Sequence, residues 1–164
     1  MSASVPVYER TDDEVRALAR GAFASLFRTG TATAEGAQAN QNVVFTSGAD
    51  VIVGDGIEAR PNGVYRLGVG TWHLEGITRP GNYANTGTFL VSQWFDVSAG
   101  QFFGAQAIYY PNANTSAFTH QPTFAATLTV PDGQTRDVAP RMQFAGTTYT
   151  LSEGRSYLTA RRVA

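Results

Sequence analysis

From Asn42 to the C-terminus, apolar residues recur in short runs, each closed by turn-forming residues. No other feature of the chain limits its fold so sharply, because that rhythm is a β-structure rhythm. The clearest run has Phe124, Ala126, Leu128 and Val130 alternating with Thr123, Ala125, Thr127 and Thr129. A period of two gives one buried and one wet face. Pro131-Asp132-Gly133 then stops the run, Pro presetting φ and Gly accepting a positive φ. Comparable runs lie at Val43–Phe45, Val51–Val53, Val64–Val69, Thr71–Ile77, Thr88–Val97 and Gln101–Tyr110. Arg136–Phe144, Thr147–Leu151 and Arg155–Val163 complete the set, and Ser98-Ala99-Gly100 reads as a hairpin loop. About nine or ten strands of this kind need an antiparallel sandwich or barrel to contain them.

The first quarter of the chain reads differently. Residues 1–10 look like an unstructured arm. Thr11-Asp12-Asp13-Glu14 spells a capping box, and Val15, Leu18, Ala22 and Leu26 follow at helical spacing, with Ala19 and Phe23 widening the stripe. The spacing predicts a short helix over residues 11–27. Thr29 to Gln41 is small and polar, fitting a linker or an extended strand on an exposed edge. The expected division is therefore an arm, helix and linker over 1–41 and a β-sandwich over 42–164.

Composition bounds the function. A chain of 164 residues holds one core. Its net charge is −1, from 12 basic residues, all Arg, and 13 acidic ones, so there is no field to gather nucleic acid or an anionic membrane. With no cysteine, disulfides, thiol catalysis and thiolate metal sites are excluded together. No run approaches the length of a membrane span, and Met1–Arg10 lacks the basic and apolar regions of a signal peptide. Neither a nucleic-acid nor a membrane partner is expected.

The search for chemistry returns little. Only two histidines occur, His73 and His120, and Gly-x-Ser-x-Gly is absent. His73 falls opposite Trp72 and Leu74 in an alternating run, as a surface or interface histidine would. Asp50 and Asp55 bracket an apolar run without an EF-hand loop, and Gly68-Val69-Gly70 lacks the glycine and lysine of a phosphate cradle. Glu58, Glu75 and Asp96 are the candidates for a glycosidase carboxylate pair, with nothing in the sequence bringing two together. No enzyme, catalytic residue, cofactor or metal is expected. Two Asn-rich loops, Asn82-Tyr83-Ala84-Asn85 and Asn112-Ala113-Asn114, could take a ligand, since a ring stacks on sugars and an amide hydrogen-bonds to them. The same residues also suit any loop.

One stretch is more specific. Ile57-Glu58-Ala59-Arg60-Pro61-Asn62-Gly63-Val64-Tyr65-Arg66-Leu67 resembles the hallmark of the tumour-necrosis-factor-like jelly roll, found in complement globular heads and in trimeric phage virion domains. Gly63 would permit a tight entry, with Tyr65 and Leu67 pointing into the core and Arg66 out. Gly70–Gly76 follows where that family places its next strand, and Ser156–Val163 is similar to its closing strand. The resemblance covers residues 42–164. It implies an all-β, antiparallel jelly-roll sandwich that forms a homotrimer. With no collagen-like stalk or membrane anchor visible, it favours the virion branch: a capsid decoration protein on the particle exterior, docked to the major capsid protein or another virion protein. Val15, Leu18, Leu26 and Phe27 are the expected docking residues, and Phe102, Tyr109, Tyr110 and Tyr157 the expected trimer interface. The alternative is a head-spike or tail-fibre tip that binds a host surface glycan or protein.

Overall fold

The computed structural model describes residues 24–29, 32–34, 41–45, 48–78, 90–109, 123–142, 149–151 and 156–163. Their strands are β1 (Ser25–Thr29), β2 (Ala32–Ala34), β3 (Gln41–Asn42), β4 (Val44–Phe45), β5 (Val51–Val53), β6 (Ile57–Arg60) and β7 (Val64–Leu67). After them come β8 (Gly70–Ile77), β9 (Leu90–Asp96), β10 (Gln101–Tyr109), β11 (Phe124–Val130), β12 (Arg136–Met142), β13 (Tyr149–Leu151) and β14 (Tyr157–Arg162). A five-stranded sheet runs β11-β8-β14-β1-β5. A six-stranded sheet runs β10-β9-β12-β7-β6 with β3 paired to β12, and β13-β2-β4 form a small third sheet. Every pairing is antiparallel. The expected jelly-roll sandwich is what the chain builds.

The core lies between the two large sheets. Alternation sends Leu26, Trp72, Leu74, Phe124, Leu158 and Ala160 inward from one side, to meet Tyr65, Leu67, Trp94 and Val138 from the other. Trp94 and Phe124 touch across the gap with ring centroids 5.7 Å apart. The Trp72 indole N–H is satisfied by Gly68 O at 2.8 Å, so its burial leaves no orphan donor. Gly76 leaves room for the Phe124 ring and Leu158, which a Cβ there would strike.

The hallmark segment behaves as its residues require. Pro61–Gly63 form a single 3-10 turn between β6 and β7. Gly63 holds φ at +68°, and a Cβ there would run into Val43 O. Tyr65 and Leu67 then enter the core, while Arg66 faces out. The Tyr65 hydroxyl donates to Asp50 Oδ1 at 3.4 Å, and burial, with Asp50 adding to it, raises the phenol well above its usual range. At the other side of the sandwich, β10 changes register between Phe103 and Ala107, and Gly104 there lies against Ala125 and Ala126 of β11. That bulge folds β10 over onto the facing sheet and closes the sandwich.

Two expectations need correction. The predicted helix does not extend to residue 27: Ser25–Thr29 is a strand, paired along its length with β14 on one side and with β5 on the other. Leu26 and Arg28 turn inward and Phe27 outward, a period of two that two neighbouring strands impose over local helical spacing. The sandwich therefore starts before residue 42, and residues 11–23 lie outside the described residues. Pro131 also has a different place in its turn. The Gln134 N–H donates to Pro131 O at 3.1 Å, so Asp132 and Gly133 make the corners and Pro131 precedes them.

Candidate functional site

The outer face of the five-stranded sheet is where the sandwich leaves apolar surface open. Strand register sorts its side chains into rows. One runs Thr127, His73, Arg161, Ser25, Val53 across β11, β8, β14, β1 and β5; the next runs Ala125, Glu75, Thr159, Phe27, Val51. Ile77 and Tyr157 begin a third. The first two rows are polar toward β8 and apolar toward β5. Phe27 is 46% exposed, Val51 55% and Val53 51%. The Phe27 ring stacks on Tyr157 at 6.4 Å between centroids, with 28° between the planes. An aromatic pair flanked by β-branched residues on open sheet is an interface composition.

The polar end holds a close trio. His73 Nε2 lies 3.1 Å from Glu75 Oε1, and Arg161 is the direct cross-strand neighbour of His73. A shallow depression of about 410 Å³ runs between the two ends, lined by Ser25, Phe27, His73, Glu75, Thr159 and Arg161 among others. A second, smaller cleft of about 160 Å³ sits over Arg28, Asp50 and Tyr65. Its groups serve the fold: Arg28 pairs with Asp50 at 3.6 Å and donates to the carbonyls of Gly48 and Phe45, each at 3.2 Å.

The outer face of the six-stranded sheet is finished differently. Arg66 grips Asp137 with two bonds, Nε to Oδ1 at 2.7 Å and Nη2 to Oδ2 at 2.9 Å. Those hydrogen bonds hold the Asp137 carboxyl below the usual carboxylate range. The Arg141 guanidinium lies 3.5 Å above the Phe95 ring and its Nε donates to Asn42 Oδ1 at 2.6 Å. Gln93 Nε2 donates to Gly104 O at 2.8 Å, and Gln93 Oε1 accepts from Gln106 at 3.1 Å.

With this geometry in hand, known structures give a fold. Murine APRIL superposes with a TM-score of 0.58 at 14% identity, covering 85% of this chain and 98% of its own. The Eiger TNF of S. frugiperda superposes with a TM-score of 0.55 at 11% identity, covering 86% and 92%. The fold is TNF-like. No family model matches the sequence, and no curated protein matches it either.

On the TNF-like sandwich the expected site residues separate. Tyr157 stands on the outer face of the five-stranded sheet. Phe102 does not: it lies on β10 of the other sheet, edge-on to Phe95 at 4.9 Å. Tyr109 ends β10, paired with Leu90, but its side chain and all of Tyr110 lie outside the described residues. Among the docking residues, Leu26 is sealed in the core at 1% exposure, which corrects its assignment to an accessible face. Phe27 is open, but as a partner of Tyr157 rather than as part of a helix. Val15, Leu18, Asn82, Tyr83, Asn85, Asn112 and Asn114 lie outside the described residues. The sequence reading placed Val51–Val53 as a β run but missed its exposure, and it missed the pairing of Phe27 with Tyr157.

The three carboxylates stay apart. Glu58 pairs with Arg60 at 3.0 Å on β6, and Glu75 is on the opposite sheet. Asp96 is buried at the end of β9, where its Oδ1 accepts the Ala99 N–H at 2.8 Å and so builds the hairpin loop. Between β9 and β6 stand β12 and β7. Among the described residues there is no group of three His, Asp or Glu that could hold a metal ion, and no helix is long and apolar enough to cross a membrane.

Proposed function

We propose that this protein is a structural, self-associating TNF-like domain that works as a homotrimer decorating a virion. The observation that carries the reading is the open apolar end of the five-stranded sheet, Phe27 on Tyr157 beside Val51 and Val53. Such a contiguous apolar patch on an open sheet face calls for a partner, and a second copy presents the same chemistry. Burying it against neighbours at a standard ~800 Å² per partner would make a stable assembly. The sequence resemblance to trimeric virion domains, the near-neutral charge and the separated carboxylates agree with a mechanical role rather than a catalytic one. Docked on a shell, a trimer stabilises it by mass action.

Native mass spectrometry at low micromolar concentration tests the assembly. The expected mass is 52.8 kDa, three chains of 17.6 kDa; a monomer overturns the reading. Co-sedimentation with capsids tests the role. Val15→Asp combined with Leu18→Asp should leave the trimer intact and remove it from particles, and unchanged occupancy would sink the docking assignment.

A further inference from the structure

The polar end of the same face contains a histidine, the side-chain type whose charge responds to pH near neutrality. His73 is flanked on its own strand by Glu75, at 3.1 Å, and by Thr71. From β14 it meets Arg161, with Thr159 and Tyr157 further along, and from β11 it meets Thr127, between Ala125 and Thr129. Ser25 of β1 lies beyond Arg161 in the same row. Among the described residues, then, the charged groups facing His73 are one carboxylate and one guanidinium.

With the imidazole neutral, Glu75 balances Arg161 and the trio carries no net charge. With it protonated, two cations share one anion, and each copy carries one surplus positive charge. On an open face water screens that surplus. In an assembly that buries the face, the surplus loses its water and is repeated on each copy around the same axis. The contact between His73 and Glu75 exists before association, so its attraction is common to both sides of the equilibrium. What association adds is the desolvation of the unmatched cation.

We infer that His73 makes self-association of this protein pH-dependent, so that the trimer loosens as the medium turns mildly acidic. This rests on the trimer reading above. The sign follows from linkage: the assembled face binds fewer protons than the free one, so lowering the pH through the imidazole range favours free chains.

Sedimentation equilibrium of the full chain at about pH 8 and about pH 5.5, at fixed ionic strength, tests this. The concentration at which the trimer half-dissociates should rise about tenfold or more in acid. His73→Gln should hold one value at both pH values, while His120→Gln, at the only other histidine, should behave as the unmodified protein. Near-UV circular dichroism of each variant confirms that its sandwich is intact. A trimer equally tight at both pH values, or tighter in acid, overturns the inference and leaves the trimer standing. So does a pH response that survives His73→Gln or disappears in His120→Gln. A monomer at pH 8 overturns the trimer reading and this inference with it.

Discussion

The two outer faces of the sandwich differ in how their polar and apolar groups are matched. On the six-stranded sheet, Arg66 is locked to Asp137, Arg141 covers Phe95, and Gln93 is held from both ends of its amide. These charged and amide groups are answered within the same chain, and the Phe95 ring is roofed by a guanidinium. On the five-stranded sheet, Phe27, Val51 and Val53 stand open, with Tyr157 stacked against Phe27. The first face answers these polar groups within the chain and leaves Ile108 of β10 open. The second leaves several apolar side chains open side by side, which a partner would cover. A single sheet fold can therefore carry one surface built for solvent and another built for association, with the difference set by which side chains the strand register places outward.

The largest effect would come from destroying both faces together. Gly76→Val puts a branched side chain into the Phe124 ring and Leu158, and overpacking there should cost ~3 kcal/mol or more. Urea denaturation should show a midpoint far below that of the unmodified protein. The next change breaks the comparison on one side alone. Phe27→Asp, at an exposed position, should keep the circular dichroism spectrum while weakening assembly by about 100-fold or more, as loss of a central aromatic does. Native mass should fall from 52.8 to 17.6 kDa at low micromolar concentration. Phe102→Asp on the other sheet should leave the mass unchanged; the reverse pattern would mean that the two faces have been assigned the wrong way round.

The smallest effect sharpens the comparison from the finished side. Asp137→Asn removes the carboxylate that Arg66 grips, and both groups are partly exposed, so Tm at neutral pH should drop by no more than about 4 °C. The sign with pH is fixed by the direction of the shift. The two hydrogen bonds from Arg66 lower the folded pKa of Asp137, so its contribution is complete above the unfolded carboxyl value of about 4 and is lost as pH falls through the lower, folded one. The gap in stability between the two proteins should therefore close in acid, which melts from neutral pH down to about pH 2.5 would show.

Much of the fold was legible because a strand with one wet face announces itself. Thr71–Ile77 and Phe124–Val130 alternate cleanly, and both are strands within a residue of where their pattern places them. Tyr65 and Leu67 point inward as the hallmark segment implied. Ser25–Thr29 was not legible. Its leucine and phenylalanine continue a helical stripe in sequence, and only β14 and β5, one of them more than a hundred residues away, make it a strand. Ile57–Arg60, noticed as part of the hallmark segment, was not read as a strand for a related reason: Glu58 and Arg60 face water on the sheet's outer side, leaving little apolar signal. The site was legible only in part. Alternation shows that Tyr157 faces away from Leu158, but which of two sheets a strand joins is a matter of topology. Phe102 and Tyr157 look alike in sequence and end on opposite sides of the molecule.

Among the described residues β5 forms the edge of its sheet, and all three of its residues are exposed β-branched aliphatics. It bears no lysine, proline or inward charge of the kind that keeps such margins from zipping onto foreign strands. A chain prevented from assembling keeps that margin bare, and its failure on storage should be slow conversion to insoluble fibrous material rather than unfolding. Preparations of the dissociated variants will keep longest when dilute.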